Sequence, residues 1–367
     1  MALAFFRAST ADDFSAGELD TVDVGLYGVL TLSGGVPEGA WTSPWIRPGF
    51  DLGDVVPSWN ADTPPGSHLD VDLQGVTHVG FETGWYSLGR WAYDDADVRR
   101  ASVPDQSDEL GGVDVDVFRA AAPLDAYRLR VTLVRGASGA PTVRLVSAIA
   151  HSGEELVLNQ HEVSGAVELE VPAFAQSPHA GEYPEYDGGG ASWCSPASTA
   201  MVLAHWGLGP SPDDLAWVDA AIADPAVDHA ARFTYDYAYG GCGNWAFNAA
   251  YAARFGLDAF VTRLRSVGEA AAFLVHGIPL VVSIKAGPGE LDGFALPQGT
   301  AGHLMVLTGL TEKGDPVVND PATPSNADVR RVYDRAQFER AWLGGSGGIV
   351  YVIAPPGTSL PPSPGNW

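Results

Sequence analysis

One of the two cysteines in the sequence stands where a thiol can act as a nucleophile. Cys194 lies within GGGASWCSPASTAMVLAHWG, residues 188–207, after three glycines and before an amphipathic helical pattern. Ser195 suits the N-cap of that helix, Pro196 its first turn and Gly207 its end. The unpaired N–H groups and the dipole at a helix N-terminus stabilise a thiolate. Taken alone, the stretch is also typical of a small buried cysteine.

A thiolate nucleophile requires a base and a group that orients the base. His303 begins the strand-like run HLMVLTGL, and after the turn TEKGD the run PVVND ends in Asp320. If the two runs pair as a hairpin, Asp320 lies close enough to His303 to fix the tautomer of the imidazole. A histidine at a strand end and an aspartate that begins a turn are also common without any catalytic role.

The other motifs give no support for a metal or a nucleotide cofactor. The sequence contains no C-x-x-C, H-E-x-x-H or H-x₃-H pattern, no Walker loop and no dinucleotide-binding fingerprint. The glycine cluster YAYGGCGNW, residues 237–245, is too weak a signal for phosphate binding. We therefore expect no cofactor and no metal site, and we interpret Cys242 in this cluster as a free structural thiol.

Alternating apolar and polar residues dominate the first half of the chain. This period of two predicts half-buried strands, and no convincing helical period accompanies it. We predict a β-sandwich or jelly roll that forms an accessory, candidate binding domain over residues 1–172. The runs are TVDVGLYGVLTL (21–32), LDVDLQGV (69–76), VDVDVF (113–118), YRLRVTLVR (127–135) and AVELEVPAF (166–174).

Helical patterns come first in the second half, and strand-like runs follow them. This order indicates an α+β domain with a mostly antiparallel sheet over residues 173–354, followed by a Pro-rich extended tail over residues 355–367. The predicted helices cover 195–207, 211–224, 244–256 and 266–277. The predicted strands cover 278–284, 303–310, 316–320 and 347–354.

Composition excludes several classes of partner. A net charge of −25 over 367 residues disfavours nucleic acid and anionic lipid surfaces, and no apolar run is long enough to cross a membrane. Arg7 interrupts the short apolar patch near the N-terminus, which is not typical of a secretory signal. We expect a cytoplasmic protein by default, with secretion left open for a trimmed mature form. The oligomeric state stays open.

Four stretches together resemble the stand-alone bacterial members of cysteine peptidase family 39, which are papain-like relatives of the double-glycine leader peptidases. They are WCSPASTAMVLAHWG, GNWAFNAAYAARFG, GHLMVLTGLTEKGDPVVNDPA and YDRAQFERAWL. The resemblance covers about residues 172–354 and implies a papain-like fold. It implies Cys194 as nucleophile, His303 as general base and Asp320 as orienting acid. The first half is similar to the β-sandwich that precedes this domain in some actinobacterial members.

The sequence departs from the papain pattern at the oxyanion donor. Papain-like enzymes usually place a glutamine about six residues before the cysteine, and Gly188 occupies that position here. Gln176 is the nearest upstream glutamine and can fill the role if residues 177–189 bulge out as an insertion. Trp193 precedes the cysteine instead of following it. No ATP-binding cassette is present, so a role in bacteriocin export does not carry over.

Three functions are compatible with these patterns. The leading one is a cysteine peptidase that cleaves peptide or amide bonds through an acyl-thioester. A second is a catalytically silent module that binds peptides or carbohydrates. A third keeps the triad but performs transpeptidation or deamidation, which the sequence does not separate from hydrolysis. Five tryptophans of the first half are candidates for stacking on a ligand, or for the core: Trp41, Trp45, Trp59, Trp85 and Trp91.

Overall fold

Strands build most of the protein, and the computed structural model describes residues 2–154 and 165–367. The N-terminal region contains one short helix, α1 (Ala11–Ser15). Its strands are, in chain order, β1 Leu3–Ala8, β2 Glu18–Asp20, β3 Val22–Val24, β4 Leu30–Leu32, β5 Glu38–Thr42, β6 Asp54–Asp62, β7 His68–Thr77, β8 Tyr86–Trp91, β9 Gly111–Asp114, β10 Val117–Ala120, β11 Leu124–Val134 and β12 Thr142–His151.

Two antiparallel sheets form the N-terminal region. One has the order β3-β4-β12-β6-β10-β9 with β1 also on β12, and the other has the order β2-β5-β11-β7-β8. Residues of β11 alternate between buried and partly exposed, because one face of its sheet meets the core and the other faces outward. Both sheets contribute to one buried core, as the layers of a β-sandwich do.

Two of the predicted strands are hairpins. Residues 21–32 divide into β3 and β4 around a turn in which Tyr27 has a φ of 66°, and residues 113–118 divide into β9 and β10 around Val115, with a φ of 59°. A β-branched residue such as Val115 rarely adopts this left-handed conformation, so the alternating pattern concealed the turn. The prediction of one continuous strand in each place was wrong.

The remaining elements begin at Val167. The strands are β13 Val167–Glu168, β14 Asp258–Arg263, β15 Leu280–Ala286, β16 Thr300–Leu310, β17 Pro316–Asn319, β18 Arg330–Val332 and β19 Ile349–Ala354. The α-helices are α2 Cys194–His205, α3 Pro225–Thr234, α4 Trp245–Ala253, α5 Val267–Val275 and α6 Arg335–Glu339. The strands form a third antiparallel sheet with the order β14-β19-β15-β16-β17-β18, and β13 pairs with β16.

One predicted helix is absent at its expected place. Residues 211–224 form successive turns, and the helix in this part of the chain is α3, which follows them. Ser211 and Asp214 do form a local capping pair, but Val218 then bonds back only three residues to Leu215. Pro225 occupies the first turn of α3, where a missing N–H costs nothing. The sequence therefore correctly predicted a helix in this part of the chain, but the predicted helix lies before the residues that form it.

The N-terminal sheets and the third sheet are joined by buried polar contacts. Nδ2 of Asn60 in β6 donates to the carbonyl of Ala259 in β14 at 2.6 Å, and the amide of Ala259 donates back at 3.1 Å. Phe247 of α4 packs against Trp59 and Trp91, with ring centroids 6.2 and 5.4 Å apart. These contacts fix the N-terminal region against the helices that precede the third sheet.

The C-terminal residues 355–367 have no helix or strand, and they fold back on the protein. The side chain of Asn366 is buried and donates to the carbonyl of Arg263 at 2.6 Å. Trp367 packs edge-on against Phe273 of α5. Within the described residues, none of the helices combines the length and the hydropathy that crossing a bilayer requires.

Candidate active site

Cys194 is the first residue of α2, and its thiol is free and partly exposed. Trp193, which precedes it, is fully buried, and its indole N–H donates to the carbonyl of Tyr186 at 2.6 Å. Because α2 begins at Cys194, Trp193 occupies the N-cap position, which was wrongly predicted for Ser195. The hydroxyl of Ser195 is inside the first turn and lies 3.0 Å from the hydroxyl of Tyr351.

The hairpin predicted from the sequence is present and places an imidazole beside this thiol. β16 and β17 pair antiparallel, with Val306 opposite Asn319, so that Asp320 directly follows the end of β17. His303 is the fourth residue of β16, not its first, and it pairs with Ile284 of β15. Nε2 of His303 lies 2.8 Å from Oδ1 of Asp320.

Both sides of the imidazole have a partner. Because Nε2 is used by Asp320, Nδ1 is the nitrogen that remains for the hydrogen bond between His303 and the Cys194 thiol. Phe294 packs edge-on against the ring with centroids 5.6 Å apart. The side chains of His303 and Asp320 are 2% and 0% exposed, so that little water competes for these contacts. A thiol, an imidazole and a carboxylate thus lie in series.

Electrostatics favours a charged thiolate and a charged imidazolium. Burial raises the pKa of Cys194, but the hydrogen bond and the charge of His303, with the N–H groups of Leu304 and Ser195, outweigh it and lower the pKa below its usual range. Burial lowers the pKa of His303, but the charge and hydrogen bond of Asp320 and the contact with Cys194 raise it to about 10. Both shifts favour transfer of the thiol proton to the imidazole.

Asp320 is held as a carboxylate by several donors. Burial raises its pKa, but the charge and hydrogen bond of His303, the Tyr333 hydroxyl and the amide of Ala322 together lower it. The Tyr333 hydroxyl donates to Oδ2 at 2.7 Å, and the amide of Ala322 donates to Oδ1 at 3.0 Å. A fully bonded carboxylate both fixes the imidazole and stabilises its charge.

Gln176 and Cys194 line the same cleft, because most of the residues between them form a closed loop. Ala180 and Gly189 form an isolated antiparallel bridge, which closes the loop of residues 181–188. Nε2 of Gln176 donates to the carbonyl of Ala191 at 2.8 Å. Its Oε1 is buried and accepts no hydrogen bond in the described part of the chain. Among the residues that the structure describes, none accepts the second hydrogen on Nε2.

Cys242 differs from Cys194 in its exposure, its hydrogen-bond partner and the direction of its pKa shift. It is 1% exposed, and its thiol donates to the carbonyl of Ala231 at 3.4 Å. Burial raises its pKa well above the ordinary value. Both cysteines are free, so the structure contains no Cys194–Cys242 disulfide.

The cleft that contains the thiol has a volume of about 810 Å³ and is lined from both halves of the chain. Asp116, in the hairpin turn between β9 and β10, accepts hydrogen bonds from the amides of Trp245 and Ala246 at the start of α4. Burial raises the pKa of Asp116 to about 7. The N-terminal region thus supplies one wall of the cleft.

Sequence reasoning missed Phe294, Tyr333 and Asp116. Tyr333 is 13 residues from Asp320, and Asp116 is 129 residues from Trp245. Neither contact belongs to a local motif, and only the fold brings the partners together. Tyr333 begins YDRAQFERAWL, one of the four stretches that carry the family resemblance, but the resemblance gave this residue no role.

Most of the tryptophans proposed as stacking residues are structural. Three are in the core, with at most 1% of their surface exposed: Trp41, Trp59 and Trp91. Trp45 and Trp85 are partly buried, and the guanidinium of Arg128 covers both rings at 4.5 and 5.3 Å from their centroids. The accessible aromatic surface is therefore smaller than the sequence suggested.

Two family models match the chain. The model described as the peptidase C39 N-terminal domain matches residues 35–151, and the model described as the peptidase C39-like family matches residues 168–348. The second match includes Cys194, His303 and Asp320. The comparison with curated proteins gives no match.

The solved structures give weak likenesses. The Glycosylation Associate Protein (Gap123) complex from Streptococcus agalactiae is 12% identical over 45% of this chain and 49% of its own, with a TM-score of 0.23. A His 62 mutant of the lectin binding domain of lectinolysin, complexed with Lewis b, is 14% identical over 40% of this chain and 91% of its own, with a TM-score of 0.19.

The Clostridium thermocellum xylanase 10B CBM22-1–GH10 modules, complexed with xylohexaose, are 9% identical over 49% of this chain and 29% of theirs, with a TM-score of 0.19. The chain spans about half the length of the first of these structures. Likenesses this weak carry no functional inference. The two family matches, in contrast, together cover most of the chain, over residues 35–151 and 168–348. The chain is a relative of the peptidase C39 family that carries the N-terminal domain of that family.

Proposed function

We propose that the protein is a thiol hydrolase that cleaves peptide or amide bonds with Cys194, His303 and Asp320. The observation that carries the proposal is the buried imidazole with the Cys194 thiol on one side and the Asp320 carboxylate on the other. A helix that begins at the thiol, followed by an antiparallel sheet that carries the base, supports a papain-like arrangement of this half. A peptide or protein is the proposed substrate.

In the first half-reaction the Cys194 thiolate attacks the carbonyl carbon of the scissile bond and forms a tetrahedral intermediate. The His303 imidazolium gives its proton to the departing amine as the carbon–nitrogen bond breaks, which leaves an acyl-thioester. In the second half-reaction the neutral imidazole takes a proton from water, and the hydroxide oxygen attacks the thioester. The acid leaves, and the thiolate–imidazolium pair is restored.

Two donors are proposed for the oxyanion of the intermediate. One is a backbone N–H at the start of α2, where helix N–H groups have no intrahelical partner. The other is Gln176, whose Nε2 keeps one hydrogen beyond its bond to Ala191. Because Ala191 fixes the amide before substrate arrives, the donor is preorganised, which is what makes oxyanion stabilisation effective.

A two-domain division of the chain is part of the proposal. The strands of the first two sheets end at His151, and the first strand of the third sheet begins at Val167, opposite Leu310. This pairing favours a boundary between residues 151 and 167, earlier than residue 172. The N-terminal domain is proposed to shape one wall of the cleft through the turn that contains Asp116.

The pH dependence of alkylation tests the proposal without knowledge of the substrate. Iodoacetamide labelling of each cysteine is followed by mass spectrometry of peptides between about pH 5 and about pH 9. Cys194 is expected to react at a high, nearly constant rate well below pH 9, because it is already a thiolate. Cys242 is the internal control and is expected to stay unlabelled until the protein unfolds.

The second arm uses the Cys194→Ala variant with a fluorescent peptide pool. Cleavage by the wild type and its loss in the variant, with an unchanged circular dichroism spectrum, support the proposal. Labelling of Cys194 that follows the titration of an ordinary thiol, together with no cleavage, would overturn it.

A further inference from the structure

A second cluster of potential ligands lies outside the Cys194 site. His179 closes the short turn Ser177–His179, Glu182 follows three residues later, and Asp228 lies in α3. Nδ1 of His179 is 2.8 Å from Oε2 of Glu182 and 3.1 Å from Oδ2 of Asp228. One ligand atom from each of the three residues lies within 4.8 Å of the others, and no other such group occurs in the described ranges.

Hydrogen bonding alone leaves this cluster unsatisfied. Asp228 is 0% exposed, yet neither of its carboxylate oxygens accepts a hydrogen bond within the described part of the chain. Nδ1 of His179 carries at most one proton, so it donates to only one of the two carboxylates that lie 2.8 and 3.1 Å away. Two carboxylates and one imidazolium have a net charge of −1, and a buried uncompensated charge is costly. Buried polar groups of this kind normally have a partner.

We propose that His179, Glu182 and Asp228 bind one divalent transition-metal cation of the zinc class. The cation replaces the proton between the imidazole and the carboxylates, so that a neutral histidine, two carboxylates and the metal have no net charge. One imidazole nitrogen with carboxylate oxygens is a donor set that suits zinc better than calcium or magnesium, which prefer oxygen ligands alone.

The geometry of the three donors supports this assignment. Ligands bonded at about 2.1 Å to a tetrahedral zinc ion are roughly 3.4 Å apart, which is close to the observed 2.8 and 3.1 Å separations and requires only a small expansion. The side chain of Glu182 is 26% exposed, whereas that of His179 is 2% exposed. The exposed edge at Glu182 gives the ion an entry path and leaves room for a water ligand.

The site links the loop of residues 181–188 to helix α3. Glu182 lies in this loop, whereas Asp228 lies in α3, so a cation between them cross-links the two segments. The His179 ring lies 6.0 Å from that of Trp193, which directly precedes Cys194. The metal is therefore structural, and it stabilises the loop that returns the chain to Gln176. Its effect on turnover rests on the proposed function, whereas its binding does not.

Metal content gives a test that is independent of catalysis. The Cys194→Ala protein serves as the background, because a thiolate beside His303 can itself bind zinc. The protein is treated with EDTA, incubated with Zn²⁺, desalted, and analysed by inductively coupled plasma mass spectrometry and by thermal unfolding. We expect one zinc per chain and a higher melting temperature than that of the EDTA-treated protein.

Two ligand variants and one control complete the design. Asp228→Asn is expected to weaken zinc binding by at least about tenfold. Glu182→Gln is the milder change, at a half-buried position, and the same weakening is expected for it. Asp51→Asn is the matched control, because it removes a carboxylate from another histidine, His78, outside the cluster. It is expected to leave the metal content unchanged.

The outcomes separate this proposal from the function of Cys194. Retention of one zinc per chain by Glu182→Gln, or the absence of stoichiometric zinc in the background protein, would overturn the metal site. Neither result changes the expectation for alkylation of Cys194, which is measured in the wild type. Zinc binding that is lost in both ligand variants and kept in the control supports the site even where peptide cleavage is absent.

Discussion

Cys194 and Cys242 pack against the same core, and both are free thiols. Cys242 is 1% exposed, and its thiol donates a hydrogen bond to a backbone carbonyl. Cys194 is partly exposed, and it has the imidazole of His303 and two backbone N–H groups as partners. The first environment favours the thiol, and the second favours the thiolate.

The contrast shows which property of a site makes a cysteine reactive. Burial raises the pKa of both residues, so burial alone does not distinguish them. Only at Cys194 do neighbouring groups, above all His303, lower the pKa on balance, and the charge and hydrogen bond of Asp320 in turn raise the pKa of His303. The pKa of the Cys194 thiol therefore depends on a carboxylate that is not in contact with the sulfur.

The largest expected effect on cleavage comes from replacing one of the two cysteines, but not the other, by alanine. Cys194→Ala is expected to reduce cleavage of the peptide pool by at least about 10⁴-fold, because no other group forms the acyl-thioester. Cys242→Ala is expected to keep wild-type cleavage. Initial rates under identical conditions measure both. Residual cleavage by Cys194→Ala that exceeds that of Cys242→Ala would reverse the assignment.

Replacing the imidazole is expected to make the environment of Cys194 resemble that of Cys242. In His303→Gln the burial of Cys194 is no longer opposed by a cation, so its pKa rises above the ordinary value and labelling at neutral pH slows. Cleavage is expected to fall by about 10³-fold through loss of the general acid and base. An unchanged pH profile of Cys194 labelling would show that His303 does not set its pKa.

Removing the carboxylate is expected to have a smaller effect, visible mainly as a pH shift. Asp320 raises the pKa of His303, so in Asp320→Asn that pKa falls from about 10 and the alkaline limb of the cleavage profile moves to lower pH. The weaker cation also raises the pKa of Cys194, which moves the acid limb to higher pH. The active window narrows from both sides, and the rate at neutral pH falls by about 10²-fold.

Tyr333→Phe is a milder change at the same carboxylate. It removes one hydrogen bond from Asp320 and retains the charge, so both limbs are expected to stay near those of the wild type, with a several-fold loss of rate that corresponds to about 1 kcal/mol. A bell-shaped profile with the same limbs in the wild type and in Asp320→Asn would show that Asp320 does not act through His303.

Local chemistry explains why the central part of the site was predictable from the sequence. The turn between His303 and Asp320 is short, so strand pairing alone brings these residues together. The helix at Cys194 has its own start and stop residues, although its N-cap is Trp193 and not Ser195. Such features depend on neighbours within about 20 residues, which a sequence pattern records well.

Features fixed by distant parts of the chain were not predictable. Val115 adopts a positive φ in the turn that places Asp116 against α4, and no local preference favours valine there. Here tertiary contacts outweigh local propensity. The place of Gln176 in the cleft, in contrast, agrees with the predicted bulge after it, because a bridge between Ala180 and Gly189 closes the loop of residues 181–188.

The smallest expected effect tests the structural role of Cys242. Cys242→Ala removes a fully buried sulfur and leaves a small cavity, so the free energy of unfolding is expected to fall by about 1 kcal/mol. Cys194 is only partly buried as a residue, so Cys194→Ala is expected to change stability less. Urea denaturation of both variants, followed by tryptophan fluorescence, measures the difference. If Cys242→Ala slows cleavage while its stability stays at the wild-type value, Cys242 belongs to the site, and the contrast between the two thiols fails.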